Sequence, residues 1–345
     1  MNRKFTKLEI ILIGTILIFV IGFFGTKNLS LFIGKENLLR QRYNEYVSLL
    51  NDEKFSESYK FFSSFAKDKP SLEEYLKGMK NEPSNFVNQK VTINKIVIKD
   101  DIGYIDRNKI LCEDNNCNTK TVLRGYKKWV FENGNWYFTG PDPLCIREEM
   151  YDIPPEFKRA LSLIEQRFTK RMTMDASEFS FFNCLDIQYS NLDNEEGVFT
   201  FIPGQSNIDK LSILVNHSYV TSDDLLTAFL LSHETAHAIN YLREINDGNK
   251  LSCVENEVRA FTNQLLLTSS LTEEEMKTAN LKLREGYDNL NNPLKLWWDL
   301  LTFRDYARKI CGSIDYNDCF FKYFNKKVED LIKSNPYYQK QCGLN

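Results

Sequence analysis

The sequence predicts an α+β protein in three parts, and three observations carry that prediction. An uncharged apolar run occupies residues 10–24, helical stretches give way to strand-like runs over residues 36–143, and residues 146–345 hold a few short strands before a long series of helices. The last part therefore predicts a small mixed sheet with a mostly helical C-terminal half.

The apolar run follows Arg3, Lys4 and Lys7, and Leu8, Gly25 and Thr26 extend it to residues 8–26. That length approaches the roughly 20 residues that span a bilayer. No small-x-small cleavage site follows, and the first cysteine is Cys112, so neither signal cleavage nor lipoprotein processing is suggested. The expectation is a retained single-pass transmembrane anchor with residues 1–7 in the cytoplasm and the rest of the chain outside it.

Residues 36–143 open with helical patterns over Glu36 to Leu50, Phe55 to Phe62 and Ser71 to Met79, the last begun by Ser71 and Glu74 at capping-box spacing. Strand-like runs follow at Val91 to Ile98, Thr121 to Phe131 and Trp136 to Phe138, with Asn133-Gly134 as a hairpin turn. Helices first and a meander afterwards predict one α+β layer. Pro141, Pro143, Pro154 and Pro155 mark the junction to the second domain, 146–345.

That domain begins with a helix over Glu156 to Arg171 and strands at Leu185 to Tyr189, Gly197 to Phe201 and Leu211 to Val215. Further helices are expected over Thr272 to Leu290, Pro293 to Ile310 and Tyr316 to Lys333, with Trp297, Trp298, Phe303 and Phe321 as core. Eight cysteines suit disulfides in an oxidising exterior. Cys112 and Cys117 look like a bridged loop tip, and with Cys145 in the second domain the cysteines divide two and six, so each domain can close its own bridges. The net charge of −3 leaves no footprint for nucleic acid.

Chemistry is concentrated at His233-Glu234-Thr235-Ala236-His237, which uses two of the three histidines in the chain. It reads as the zinc motif H-E-x-x-H. Histidines four apart on a helix sit about 6 Å apart along the axis and roughly 40° around it, so both imidazoles reach one metal. Glu234 stands beside the ligands but off their line, where it can take a proton from a water at the metal. The context supports a helix: no proline or glycine from Ser222 to Leu242, N-cap oxygens at Thr221, Ser222 and Asp223, and turn residues that end it near Gly248.

A catalytic zinc site takes three protein ligands and leaves a fourth position for water. A second helix starting near Ser252 carries Glu255 and Glu257. Ser252 and Glu255 have capping-box spacing, which gives Glu255 a structural task. Glu257 has no such task, and small Ala260 one turn on lets the two helices approach closely. Glu257 is the expected third ligand, with Glu255 as the fallback.

His233-Glu234-Thr235-Ala236-His237 followed by Glu257-Val258-Arg259-Ala260 resembles the H-E-x-x-H with downstream E-x-x-A of gluzincin metallopeptidases, over Thr221 to Leu267. The resemblance implies Zn2+ held by His233, His237 and Glu257, Glu234 as general base, a protein or peptide substrate cleaved by an endopeptidase rather than an exopeptidase, and an upstream sheet whose edge strand lines the groove. It also implies a tyrosine or histidine that donates to the oxyanion, for which Tyr241, Tyr287, Tyr306 and His217 are candidates. The stretch from Lys128 to Phe138, after a tyrosine-rich helix pair, resembles small NTF2-like or cystatin-like domains, which more often serve as spacers or binding modules than as enzymes. The alternative to a membrane-anchored metallopeptidase is an inert binding or assembly protein on a zincin scaffold. Substrate identity and oligomeric state are not legible in these residues.

Overall fold

The computed structural model describes residues 34–64, 70–81, 90–112, 120–140, 142–147, 150–172, 176–193, 195–202, 210–248, 250–275, 277–278, 292–312 and 318–344. The anchor expected over 8–26, with residues 1–7, lies outside them, as do Cys117, Tyr287 and most of the helix expected over Thr272 to Leu290. Among the described residues no helix is long and apolar enough to cross a membrane. The chain is α+β and divides into two compact units, the first ending at Asp142 and the second running from Pro143, with Leu123–Tyr126 grouped with the second.

The first unit begins with helix α1 (34–51), a single turn at Phe55–Ser58, and α2 (Leu72–Asn81). Its capping box forms as expected: Ser71 N–H donates to Glu74 Oε2 at 2.8 Å and Glu74 N–H donates to Ser71 Oγ at 3.2 Å. A four-stranded meander follows, β1 (Lys90–Lys99), β2 (Ile102–Cys112), β3 (Lys120–Glu132) and β4 (Asn135–Phe138), in the order β1-β2-β3-β4. Positive φ at Asn133 and Gly134 makes the turn between β3 and β4, the geometry that matches the right-handed twist of the hairpin. Trp129 and Trp136 are fully buried in one cluster with Leu39 and Tyr43 of α1, and the Trp136 indole donates to the Lys35 carbonyl at 2.9 Å. The sheet thus needs α1 to cover its apolar face.

The second unit opens with α3 (Pro155–Met172), then β5 (Leu185–Ser190), β6 (Gly197–Ile202) and β7 (Lys210–Asn216). The sheet order is β5-β7-β6, with β5 parallel and β6 antiparallel to β7. The central strand buries Leu211, Ile213 and Val215, and β6 is an edge strand. Helices α4 (Asp224–Asp247), α5 (Cys253–Ser269), α6 (Asn292–Cys311), α7 (Asp318–Ser334) and α8 (Pro336–Gln341) complete the unit. Sequence reading stops at Lys333 and does not mark α8, although Asn335-Pro336 is a start signal: Asn335 Oδ1 accepts from Tyr337 N–H at 2.9 Å and proline stands at the first helical position. The six cysteines of this unit pair among themselves as Cys145–Cys184, Cys253–Cys342 and Cys311–Cys319.

Candidate metal centre

Two capped helices build the site. Asp223 Oδ1 accepts from Leu226 N–H at 2.9 Å at the start of α4, and Gly248 ends it in the left-handed conformation with its N–H on the Glu244 carbonyl. Ser252 and Glu255 close the capping box of α5, so Glu255 serves the helix start as expected. Fully buried Ala260 lets α5 lie close against α4. Two amides then tie the helices together: Gln264 Nε2 donates to the Phe229 carbonyl and Asn263 Nδ2 to the Ser232 carbonyl, both at 2.9 Å. Those carbonyls lie within one turn of His233, so α5 fixes the rotation of the motif.

This packing brings His233, His237 and Glu257 together. Their ligand atoms lie within 4.8 Å of one another and could hold a metal ion. Glu257 Oε2 lies 3.4 Å from His233 Nε2, and Oε1 lies 3.7 Å from His237 Nε2. His237 Nδ1 faces Asn256 Oδ1 at 3.1 Å; because that oxygen can only accept, Nδ1 carries the proton and Nε2 keeps its lone pair for a ligand. Asn240 Nδ2 donates to the same Asn256 oxygen at 2.7 Å and holds it in place. The His233 ring packs edge-on against Phe261, 4.6 Å between centroids.

The cluster fits a cation. Glu257 is 3 % exposed, and its Oε2 has no hydrogen-bond donor. A buried carboxylate oxygen without a partner is costly unless a cation fills that place. Burial pushes the Glu257 carboxyl upward, but His233, His237 and the Gln341 amide outweigh it and hold the group below its ordinary value.

Glu234 stands apart from the three. It too is buried, and its carboxyl is pushed up to about 7 by burial, with Glu257 and Glu195 adding to the rise and His237 and the Phe199 amide opposing it. That amide belongs to edge strand β6, so Glu234 is held between the motif helix and the strand. Gly197, at the start of β6, presses on it: a Cβ there would stand 3.1 Å from Glu234 Oε1 and 3.0 Å from Leu230 Cδ1.

The four residues open into a cavity of about 360 Å³ walled by β6, α4, α5 and α8. Tyr337, Tyr338 and Gln341 of α8 line it. None of the described tyrosine or histidine candidates for oxyanion donor does. Tyr241 stacks on Phe201 at 4.0 Å, His217 stacks on Tyr189, and Tyr306 is 46 % exposed. Among the described residues the tyrosines that reach the cavity are Tyr337 and Tyr338, on α8, a helix the sequence does not mark.

Compared with protein-family models, with curated proteins and with solved structures, the chain matches none.

Proposed function

We propose that this chain is a zinc-dependent metallopeptidase in which His233, His237 and Glu257 hold the metal and Glu234 is the general base. One observation carries the reading: a buried carboxylate, Glu234, is clamped against an edge strand immediately beside a cluster of two imidazoles and a carboxylate. A bound zinc ion supplies Lewis-acid polarisation of a carbonyl and acidifies water towards a pKa of about 7. Glu234 accepts the proton of the attacking water and returns it to the leaving amine. Tyr337 is half-buried on the cavity wall, and burial together with Glu195, Glu257 and Glu234 raises its hydroxyl well above the usual phenol range. It therefore stays protonated and is our candidate donor to the developing oxyanion.

Edge strand β6 beside the cavity supports a peptide substrate, because an extended chain can add to a sheet edge through main-chain hydrogen bonds. Three disulfides fit an oxidising compartment, which supports a catalytic unit held outside the cytoplasm by the largely apolar segment 8–26. In this reading the helix-and-meander unit is an NTF2-like or cystatin-like spacer.

Zinc content and a peptide-library digest of the wild type and Glu234→Gln test the proposal. Both should carry one zinc, and only the wild type should cleave. Zinc without cleavage in the wild type would instead favour an inert scaffold.

A further inference from the structure

The metal ligand Glu257 has a partner 84 residues away in sequence: Gln341 Nε2 donates to Glu257 Oε1 at 3.1 Å. Gln341 is exposed, so burial does not hold it there. Its neighbours do. Tyr338, three residues earlier, is 2 % exposed, and Cys342 N–H caps α8 on the Tyr338 carbonyl at 2.8 Å. Cys342 is bonded to Cys253, the first residue of α5, one turn before Glu257. The bridge thus fastens the end of α8 to the helix that bears the ligand.

Resting on the metal reading above, we propose that this C-terminal segment is a strap for the metal centre, with Gln341 as a positioning residue for Glu257 and the Cys253–Cys342 bridge as its fastener. The chemistry of the donor supports the role. An amide on Oε1 fixes rotation of the carboxylate plane and leaves Oε2, which has no donor, to the metal. The amide is neutral, so it orients Glu257 without cancelling the charge that attracts a cation. A lysine in its place would compete with the metal.

The test is zinc affinity of the full chain, by competition with a chromophoric chelator, beside thermal melting of the chelated protein. Gln341→Met should weaken zinc binding about 10- to 100-fold, the scale of lost outer-shell support, and leave the metal-free melting temperature unchanged. Gln341→Lys should weaken it further. Cys253→Ser with Cys342→Ser should weaken it to a similar extent, and adding Gln341→Met to that pair should cost little more, because both changes act through one hydrogen bond. Wild-type affinity in Gln341→Met, or a drop in its metal-free melting temperature that accounts for the loss, overturns the positioning role. Additive losses would overturn the bridge as fastener. A wild-type chain that fails to bind zinc overturns the metal reading and this inference together, an outcome distinct from the others.

Discussion

Asn256 Oδ1 receives the Nδ1 proton of His237 at 3.1 Å, and this contact decides which imidazole nitrogen can bind a metal. Asn240, one turn beyond His237 on α4, donates to the same oxygen at 2.7 Å and keeps that oxygen turned to the ring. Asn256→Ala should therefore lower zinc affinity about 10- to 100-fold while leaving one zinc per chain at saturation. Asn256→Asp keeps an acceptor at the same place and should retain most of the affinity. Competition with a chromophoric chelator measures both; equal loss in the two variants would show that the acceptor is not what matters.

Glu255 and Glu257 stand two residues apart on α5 and should respond oppositely to removal. Glu255 is fully engaged at the helix start, its Oε2 accepting from Ser252 N–H and from Ser252 Oγ at 2.8 and 2.7 Å. Glu255→Ala should lower the melting temperature slightly through loss of the capping box and keep its zinc. Glu257→Ala should lose stoichiometric zinc, which elemental analysis after dialysis would detect. Retention of zinc by Glu257→Ala would remove it from the ligand set.

The capping role of Glu255 was legible in the sequence, because capping-box spacing is local. So were the spacing of His233 and His237 and the three strands of the second unit, whose observed ends lie within one residue of those expected. What sequence left unread is non-local. Gln341, Tyr337 and Tyr338 reach the cavity only because α8 folds back on α5, and no periodicity in a six-residue helix reports where it docks. Ile102–Cys112 escaped as a strand for another reason. Asp106 and Arg107 are both buried there and break the alternation of apolar and polar residues that marks a half-buried strand.

The three disulfides should rank by the loops they close. Their sequence separations are 89 for Cys253–Cys342, 39 for Cys145–Cys184 and 8 for Cys311–Cys319. Chain entropy gives losses of about 4.6, 4 and 2.6 kcal/mol when each pair is replaced by serine. Denaturant midpoints of the three double-serine variants, in metal-free protein so that ligand binding does not contribute, should fall in that order. A larger loss from the shortest loop would show that native packing rather than the unfolded chain sets the effect.

Lys109 on β2 predicts a pH dependence for the first unit. Burial, with Arg107 and Lys127 nearby, lowers its pKa to about 8 from an ordinary 10.5. The native state therefore releases this proton before the unfolded chain does, so stability should rise as pH climbs from about 8 to about 10.5. Lys109→Met should raise the melting temperature at pH 7 and lose that advantage near pH 10.5. An advantage equal at both pH values would assign the gain to packing alone.

Gly197 offers the sharpest separation of chemistry from metal binding. Its missing side chain leaves room for Glu234: a Cβ would stand 3.1 Å from both Cγ and Oε1 of that residue, tighter than ordinary contact. Leu230 Cδ1 at 3.0 Å closes the other side, so the easiest relief is to move the Glu234 carboxylate. The atoms nearest that Cβ belong to Leu230 and Glu234, whereas His233, His237 and Glu257 are held by the packing of α4 on α5 and should keep their positions. Gly197→Ala should therefore bind zinc with wild-type affinity while its kcat for peptide cleavage falls about 10- to 100-fold, since displacement of about 1 Å costs catalysis on that scale. The loss should appear in kcat more than in KM if Glu234 has the proposed role, in which it acts on the reacting water rather than on the bound peptide. Unchanged kcat in Gly197→Ala would mean that Glu234 is not held by this contact, and a parallel loss of zinc would mean that the strand supports the metal ligands as well as the base.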